Sequence, residues 1–141
     1  MTKKLGIDDY PIAETQPENV IGARGLALPD VTLDALIQGK VTMEDLRITP
    51  QALRAQADIA RAAKRDTLAQ NFERAAELVN VPQELIMATY ELLRPGRAKS
   101  KHVLLEAARS LRETYKAEAM AVYVEEAAEV YERRGLFKFR Y

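Results

Sequence analysis

Apolar residues recur every three or four positions from Asp30 to about Arg134, which is the spacing of an amphipathic helix. The pattern is divided by residues that commonly begin a helix, either a side chain that caps the first turn or a proline at the first helical position. These start signals are Thr49-Pro50, Asp66, Val81-Pro82 and Ser100. The chain is therefore predicted to fold as a series of helices, and it contains no internal repeat.

Two shorter helical segments precede these. Thr32 is predicted to cap a short helix that ends at Gly39. The apolar side chains that this helix is expected to bury are Leu33, Leu36 and Ile37. Thr42 begins a second short segment, in which Asp45 is placed to complete a capping box.

The run from Ser100 to about Arg134 is long for a helix of a globular protein. It either breaks near 114–116 or continues as one rod, and Gly135 is its predicted stop. From Phe137 onward apolar and polar residues alternate, which is typical of a strand. No other segment has a convincing strand pattern.

The first 30 residues show neither the helical spacing nor the strand-like alternation of apolar residues. Prolines and glycines interrupt them, and their apolar side chains are scattered singly, at Tyr10, Ile12, Val20, Ile21 and Leu26. A segment of this kind has no apolar face of its own, so it must lie along the helical body or along another protein. We therefore predict an all-α fold, with an extended partner-binding arm over residues 1–30 and a small helical domain over residues 31–141 that ends in a long C-terminal helix.

Composition narrows the function classes. The chain has 141 residues, no cysteine and as many basic as acidic side chains. Its length suggests one domain, and the lack of cysteine excludes disulfides and thiolate chemistry. A net charge of zero argues against a dedicated nucleic-acid-binding protein. No apolar stretch follows the first lysines and none is long enough for a membrane span, so we expect a cytoplasmic protein.

The residues that could carry chemistry are few. His102 is the only histidine, and neither a Glu-x-x-His pair nor an Asp-x-His-x-x-Gly cobalamin-ligating pattern surrounds it. Glu125, Glu129 and Glu132 share one helix face, where they either perform acid–base chemistry or are simply solvated or paired with cations. The basic loop 94–101 has no aromatic side chains for stacking on bases. We therefore predict no catalytic, cofactor-binding or metal-binding residue and no nucleic-acid partner.

Several motifs occur in a fixed order along nearly the whole chain. Asp9-Tyr10-Pro11 lies in the arm, and Arg47-Ile48-Thr49-Pro50 precedes the first long helix. The most specific block runs from Asn71 to Leu78 and reads Asn-Phe-Glu-Arg-Ala-Ala-Glu-Leu. Leu93-Arg94-Pro95 and the segment from Glu126 to Tyr131 complete the set. With these motifs the chain resembles the small subunits of adenosylcobalamin-dependent diol and glycerol dehydratases.

The resemblance implies a complex of large, medium and small subunits, arranged as a dimer of such trimers. In this family the large subunit, similar to a TIM barrel, holds the substrate and a metal ion, and adenosylcobalamin lies between the large and medium subunits. The implied reaction is a radical dehydration of 1,2-propanediol, glycerol or ethanediol to an aldehyde. The short segment before Asp9 leaves open both the substrate preference and packaging in a bacterial microcompartment.

The resemblance and the composition of the arm together predict a subunit interface. We expect Tyr10 and Pro11 to anchor the arm on the large subunit, and Arg47 and Arg74 lie in the matching motifs. Arg74 either pairs with a partner carboxylate or with an acid of its own chain, such as Glu77. Phe72 lies on the apolar stripe of its helix and is expected in the core.

Two other functions agree with the residues taken alone. One is a free-standing helical adaptor that binds a regulatory protein. The other is a small enzyme with carboxylate chemistry at Glu125 and Glu129.

Overall fold

The computed structural model describes residues 3–138, and these residues form seven α-helices and no strand, which confirms the all-α prediction. The chain divides into two compact units, Met1–Val79 and Asn80–Tyr141. The helices of the first unit (unit 1) are α1 (Ile12–Thr15), α2 (Leu33–Ile37), α3 (Pro50–Ala62) and α4 (Asp66–Leu78). Those of the second (unit 2) are α5 (Gln83–Leu93), α6 (Lys101–Tyr115) and α7 (Glu118–Arg133).

The N-terminal arm consists of single turns joined by extended residues. In addition to α1, it contains short 3₁₀ helices at Ile7–Asp9, Pro17–Asn19 and Leu28–Asp30. The Asp9 carboxylate joins two of these turns, because it accepts hydrogen bonds of 2.7 Å from the Gly6 amide and from the Gln16 side chain. The Ile7–Asp9 turn packs against α3. Local polar contacts therefore shape the arm, and part of it lies on the helical body of unit 1.

Asp45 joins the arm to the 3₁₀ helix Met43–Leu46. Its buried carboxylate accepts a hydrogen bond of 2.8 Å from the Thr42 amide, and this bond completes the predicted capping box. The carboxylate also accepts a hydrogen bond of 2.9 Å from Arg24 Nε. A second guanidinium nitrogen of Arg24 donates to the Lys40 carbonyl at 2.8 Å. Gly22 allows this close approach, since a Cβ atom there would lie 3.0 Å from the Asp45 carbonyl oxygen. The hydrogen bond from Arg24 lowers the pKa of Asp45, and the Thr42 amide lowers it further.

Asp45→Ala is expected to lower the thermal midpoint of the full chain by several degrees at pH 7, because it leaves the Thr42 amide and the Arg24 guanidinium without their acceptor. The pKa of Asp45 is lower in the folded chain than its ordinary value of 3.8. The stabilisation is therefore complete above that value and is lost as the pH falls through the folded-state pKa. Circular dichroism melts at pH 7 and at about pH 2.5 measure the difference between the two chains.

The difference in midpoint should shrink at the lower pH, and a difference that stays constant between the two pH values would contradict this account. Asp34→Ala is the control, because Asp34 is an exposed carboxylate in the same unit.

α3 and α4 form the core of unit 1. Thr49 caps α3 as predicted, because its hydroxyl accepts a hydrogen bond of 3.1 Å from the Ala52 amide. Pro50 is the first helical residue. α4 begins at Asp66, but Arg65 occupies the cap position, so the prediction of Asp66 as the cap is wrong by one residue. The buried residues of this core are Ala57, Ala60 and Ala69, and Leu68 and Phe72 pack against them. The prediction that Phe72 belongs to the core is confirmed.

Unit 2 is built on the α6–α7 hairpin. The predicted C-terminal run is two helices, and the break lies at Lys116, which has a φ of 57° in the left-handed region. The Ala117 amide then donates to the Leu111 carbonyl at 2.9 Å, which ends α6 and reverses the chain. The residues buried between the two helices are Leu104, Ala108, Leu111, Ala121, Val124 and Ala128. The Tyr131 hydroxyl donates to the Leu93 carbonyl and so connects α7 to the end of α5.

The chain after α7 turns at Gly135, as predicted, with a φ of 67°. The Phe137 ring lies 6.3 Å from the Tyr131 ring. Most of the tail for which the alternation from Phe137 predicts a strand lies outside the described residues.

The prediction that α2 buries its apolar residues is wrong. As predicted, Thr32 caps this helix, because its hydroxyl accepts a hydrogen bond of 3.1 Å from the Ala35 amide, and a turn at Gly39 follows the helix. Its three large apolar side chains are nevertheless exposed: Leu33, Leu36 and Ile37. The spacing of apolar residues shows that a helix has an apolar face, but it does not show which surface covers that face.

Candidate functional site

The single histidine of the chain lies in a place that does not suit a metal ligand, cobalt included. His102 lies exposed in the first turn of α6, with Nε2 3.9 Å from Glu106 Oε1. Within residues 3–138 no three potential ligands of the His, Cys, Asp and Glu types are grouped around one point. An imidazole that binds a metal almost always donates its second ring N–H to a fixed partner. The surroundings of His102 therefore do not fit adenosylcobalamin.

Four glutamates of α7, Glu118, Glu125, Glu129 and Glu132, are paired with cations of α6. Glu125 accepts hydrogen bonds of 2.5 and 2.9 Å from Arg112, and Lys101 Nζ lies 2.6 Å from Glu129 and 2.7 Å from Glu132. Arg112 lowers the pKa of Glu125, whereas a general acid that works near neutral pH needs a raised pKa. These glutamates therefore belong to ion pairs that join the two helices.

The basic loop is partly neutralised within unit 2. Arg94 lies 3.2 Å from Glu91, and Lys101 lies between two carboxylates of α7. Across residues 3–138, the helices include none that combines the length and the apolar character of a membrane span.

Exposed apolar side chains are the most prominent surface feature of unit 1. They occur in the arm, on α2, on the 3₁₀ helix Met43–Leu46 and just before α3. Within the described chain they are Ile7, Tyr10, Ile21, Leu28, Leu33, Leu36, Ile37, Met43, Leu46 and Ile48. An exposed apolar side chain is available for contact with another molecule, and a contiguous group of them marks an interaction site.

A groove of about 620 Å³ opens between the arm and the first half of α3. Its apolar lining consists mainly of Ile12, Val20, Ile21, Ile48, Ala52 and Ala55. A groove of this size accepts apolar side chains of another molecule. The groove could not be predicted from the sequence, because the arm and α3 are distant along the chain and no residue pattern indicates that they pack together.

The four predicted interface residues all lie in unit 1. Tyr10 is exposed and Pro11 is half-buried, and Arg47 is exposed between Leu46 and Ile48. Arg74 is half-buried on α4, where its guanidinium donates a hydrogen bond of 2.5 Å to Asn71 Oδ1. The exposed apolar residues of α2 were expected in the core, because their helical spacing was interpreted as a sign of burial.

Comparison with known proteins places these features in a family context. The chain matches the family model described as "Dehydratase small subunit" over residues 5–138. It is similar to the propanediol dehydratase small subunit of Salmonella typhimurium, with 47% identity over 97% of this chain and 79% of the relative. It is also similar to the propanediol dehydratase small subunit of Citrobacter freundii, with 46% identity over 94% of this chain and 76% of the relative.

Proposed function

The chain belongs to the dehydratase small subunit family, and from this premise we propose that it is the non-catalytic small subunit of an adenosylcobalamin-dependent diol dehydratase. The reaction is the dehydration of 1,2-propanediol or glycerol to an aldehyde. The observation that carries the proposal is the 47% identity to a propanediol dehydratase small subunit over 97% of this chain. The match includes the arm and both units, so it does not rest on one motif.

The proposed partners are the large and medium dehydratase subunits, in a dimer of heterotrimers. Adenosylcobalamin is held by those subunits and supplies the radical that begins the reaction. The lack of a suitable ligand around His102 supports this division of roles. The proposed location is the cytoplasm, and a bacterial microcompartment is the alternative to a free complex.

The role of this chain is to bind the large subunit and to keep it folded. A partner that binds only the native state stabilises that state by mass action. We propose the arm, with Tyr10 and Pro11, as one contact region, and Arg47 and Arg74 as further contacts. The exposed apolar side chains of the arm and the groove beside α3 support this assignment.

Reconstitution tests the proposal. The large and medium subunits of the same organism are co-expressed with and without this chain, and aldehyde formation from 1,2-propanediol and glycerol is measured after adenosylcobalamin is added. We expect less soluble and less active enzyme without the chain, and recovery when the chain is co-expressed. Equal solubility and activity in both preparations would refute the stabilising role, and failure of the chain to co-purify would refute the function.

A further inference from the structure

We propose that residues 20–46 form a strap that opens as one cooperative unit while α3 and α4 stay folded, and that the pair between Arg24 and Asp45 is its latch. The strap consists of a loop of the arm (20–28), α2 and the 3₁₀ helix Met43–Leu46, with the residues that join them. Such a motion belongs to the free chain, so it does not depend on the proposed function.

Arg24 connects all three parts of the strap. It projects from the loop, and its guanidinium binds Asp45 through two nitrogens, with Nε 2.9 Å from one carboxylate oxygen and Nη2 2.8 Å from the other. Nη2 also donates to the Lys40 carbonyl at 2.8 Å, just after α2. Two-nitrogen contacts of arginine with a carboxylate are among the stronger hydrogen-bonded pairs in proteins. Loss of Arg24 therefore frees the three segments together and leaves a buried carboxylate without its counter-charge.

The loop is shaped to fit against Asp45. The Gly22 amide donates to the Leu26 carbonyl at 2.8 Å, which closes the loop and brings Arg24 to its tip. Gly22 also lies close to the backbone of Asp45, since a Cβ atom on this glycine would be 3.0 Å from the Asp45 carbonyl oxygen. The loop and the 3₁₀ helix are thus joined by a backbone contact as well as by the latch, so we expect them to separate in one step.

Apolar burial contributes little to the stability of the strap. Among the described residues before Thr49, only Val41 and Asp45 are buried. The large apolar side chains of α2 are exposed, and the groove of about 620 Å³ lies between residues 20–23 and the first half of α3. Regions with few buried apolar contacts open more readily than a packed core. The polar latch is therefore a main stabilising contact of the strap.

The core between α3 and α4 is formed without the strap. Its buried alanines and the residues packed against them all belong to these two helices. An ion pair of 2.8 Å between Arg61 and Glu73 also joins α3 to α4. These contacts involve no residue of 20–46, so they remain when the strap opens. The strap and the core are consequently expected to have different opening free energies.

Hydrogen exchange of the full chain, followed by NMR at increasing urea below the unfolding transition, tests the proposal. The amides of Gly22, Leu28, Leu36 and Lys40 are hydrogen-bonded within the strap. We expect them to share one opening free energy and one urea slope. The amides of α3 and α4 should be at least roughly 10-fold better protected, with a steeper slope because their opening exposes more surface. Equal protection and equal slopes for strap and core would overturn the proposal.

Arg24→Gln removes the two-nitrogen contact and its charge. We expect roughly 10-fold faster exchange, by the same factor at Gly22 in the loop and at Leu36 in α2, because both parts lose the same latch. Arg61→Gln is the matched control, because the side chains of Arg61 and Arg24 are 42% and 41% exposed and each is paired with a carboxylate. The Arg61 ion pair is intact in the closed and in the open strap, so this variant should not change exchange within the strap.

The outcomes separate the latch from the strap. Faster exchange confined to the loop, or unchanged exchange throughout 20–46, would show that Arg24 is not the latch. If Arg61→Gln accelerates the strap amides as much as Arg24→Gln does, the strap opens only together with the core and the proposal fails. If Arg24→Gln prevents folding, Arg24→Lys replaces it, because lysine keeps the charge and loses the two-nitrogen contact.

Discussion

Leu111→Ala is expected to lower the free energy of unfolding of unit 2 by about 3 kcal/mol. Leu111 is fully buried on α6, at the interface with α7. The other buried residues of α6 and α7 include three alanines, Ala108, Ala121 and Ala128. These small side chains cannot move far enough to fill the space that the leucine leaves, so the cost includes a cavity as well as lost apolar burial.

Urea denaturation of the full chain, followed by circular dichroism, measures this effect. Hydrogen exchange of the α6 and α7 amides shows whether the loss is confined to unit 2. Leu105→Ala is the matched control, because it removes the same atoms from an exposed position on the same helix, and its expected cost is below about 1 kcal/mol. Equal losses for the two variants would show that Leu111 is not a core residue of this hairpin.

Tyr10→Ala is expected to weaken binding to the large subunit by about 30-fold. The Tyr10 side chain is 60% exposed in this chain, so its removal has little effect on the fold of unit 1. Tyrosine combines a large apolar ring with a hydroxyl group, and such residues supply much of the binding energy of interfaces. Deletion of residues 1–30 is a weaker test, because it also removes Arg24 from Asp45 and the Ile7–Asp9 turn from α3.

Titration of labelled chain with the large and medium subunits gives the Kd for both proteins. Tyr90→Ala is the matched control, because Tyr90 is 57% exposed in unit 2. The control should bind like the wild type. If Tyr10→Ala binds with wild-type affinity, or if both variants lose affinity equally, Tyr10 is not an anchor of the interface.

The helix boundaries were largely predictable, because they depend on residues close together in sequence. Thr32 and Thr49 cap the helices they were expected to cap, and the turn at Gly39 follows α2. These signals act within one helical turn, so packing against other parts of the chain does not alter them. The resemblance to dehydratase small subunits was also carried by the sequence, in blocks such as the one from Asn71 to Leu78.

The break in the C-terminal run was predictable only as one of two alternatives. Lysine has no intrinsic preference for the left-handed conformation that Lys116 adopts, so the residue itself does not indicate a turn. What stabilises the break is the packing of α6 on α7, together with the ion pairs from Arg112 to Glu118 and Glu125. These contacts exist only once the chain has reversed.

By itself, the sequence determined the helical class, the positions where most helices begin and the family of the protein, because local backbone preferences and the order and spacing of motifs are properties of the chain. Only the tertiary structure decided which apolar faces are covered. It packed the partly buried Phe72 against the cluster of Ala57 and Ala60 but left Leu33 and Ile37 exposed, although all of these residues have helical spacing. The difference arises because burial depends on which surfaces meet in space, and periodicity contains no information about the partner of a face.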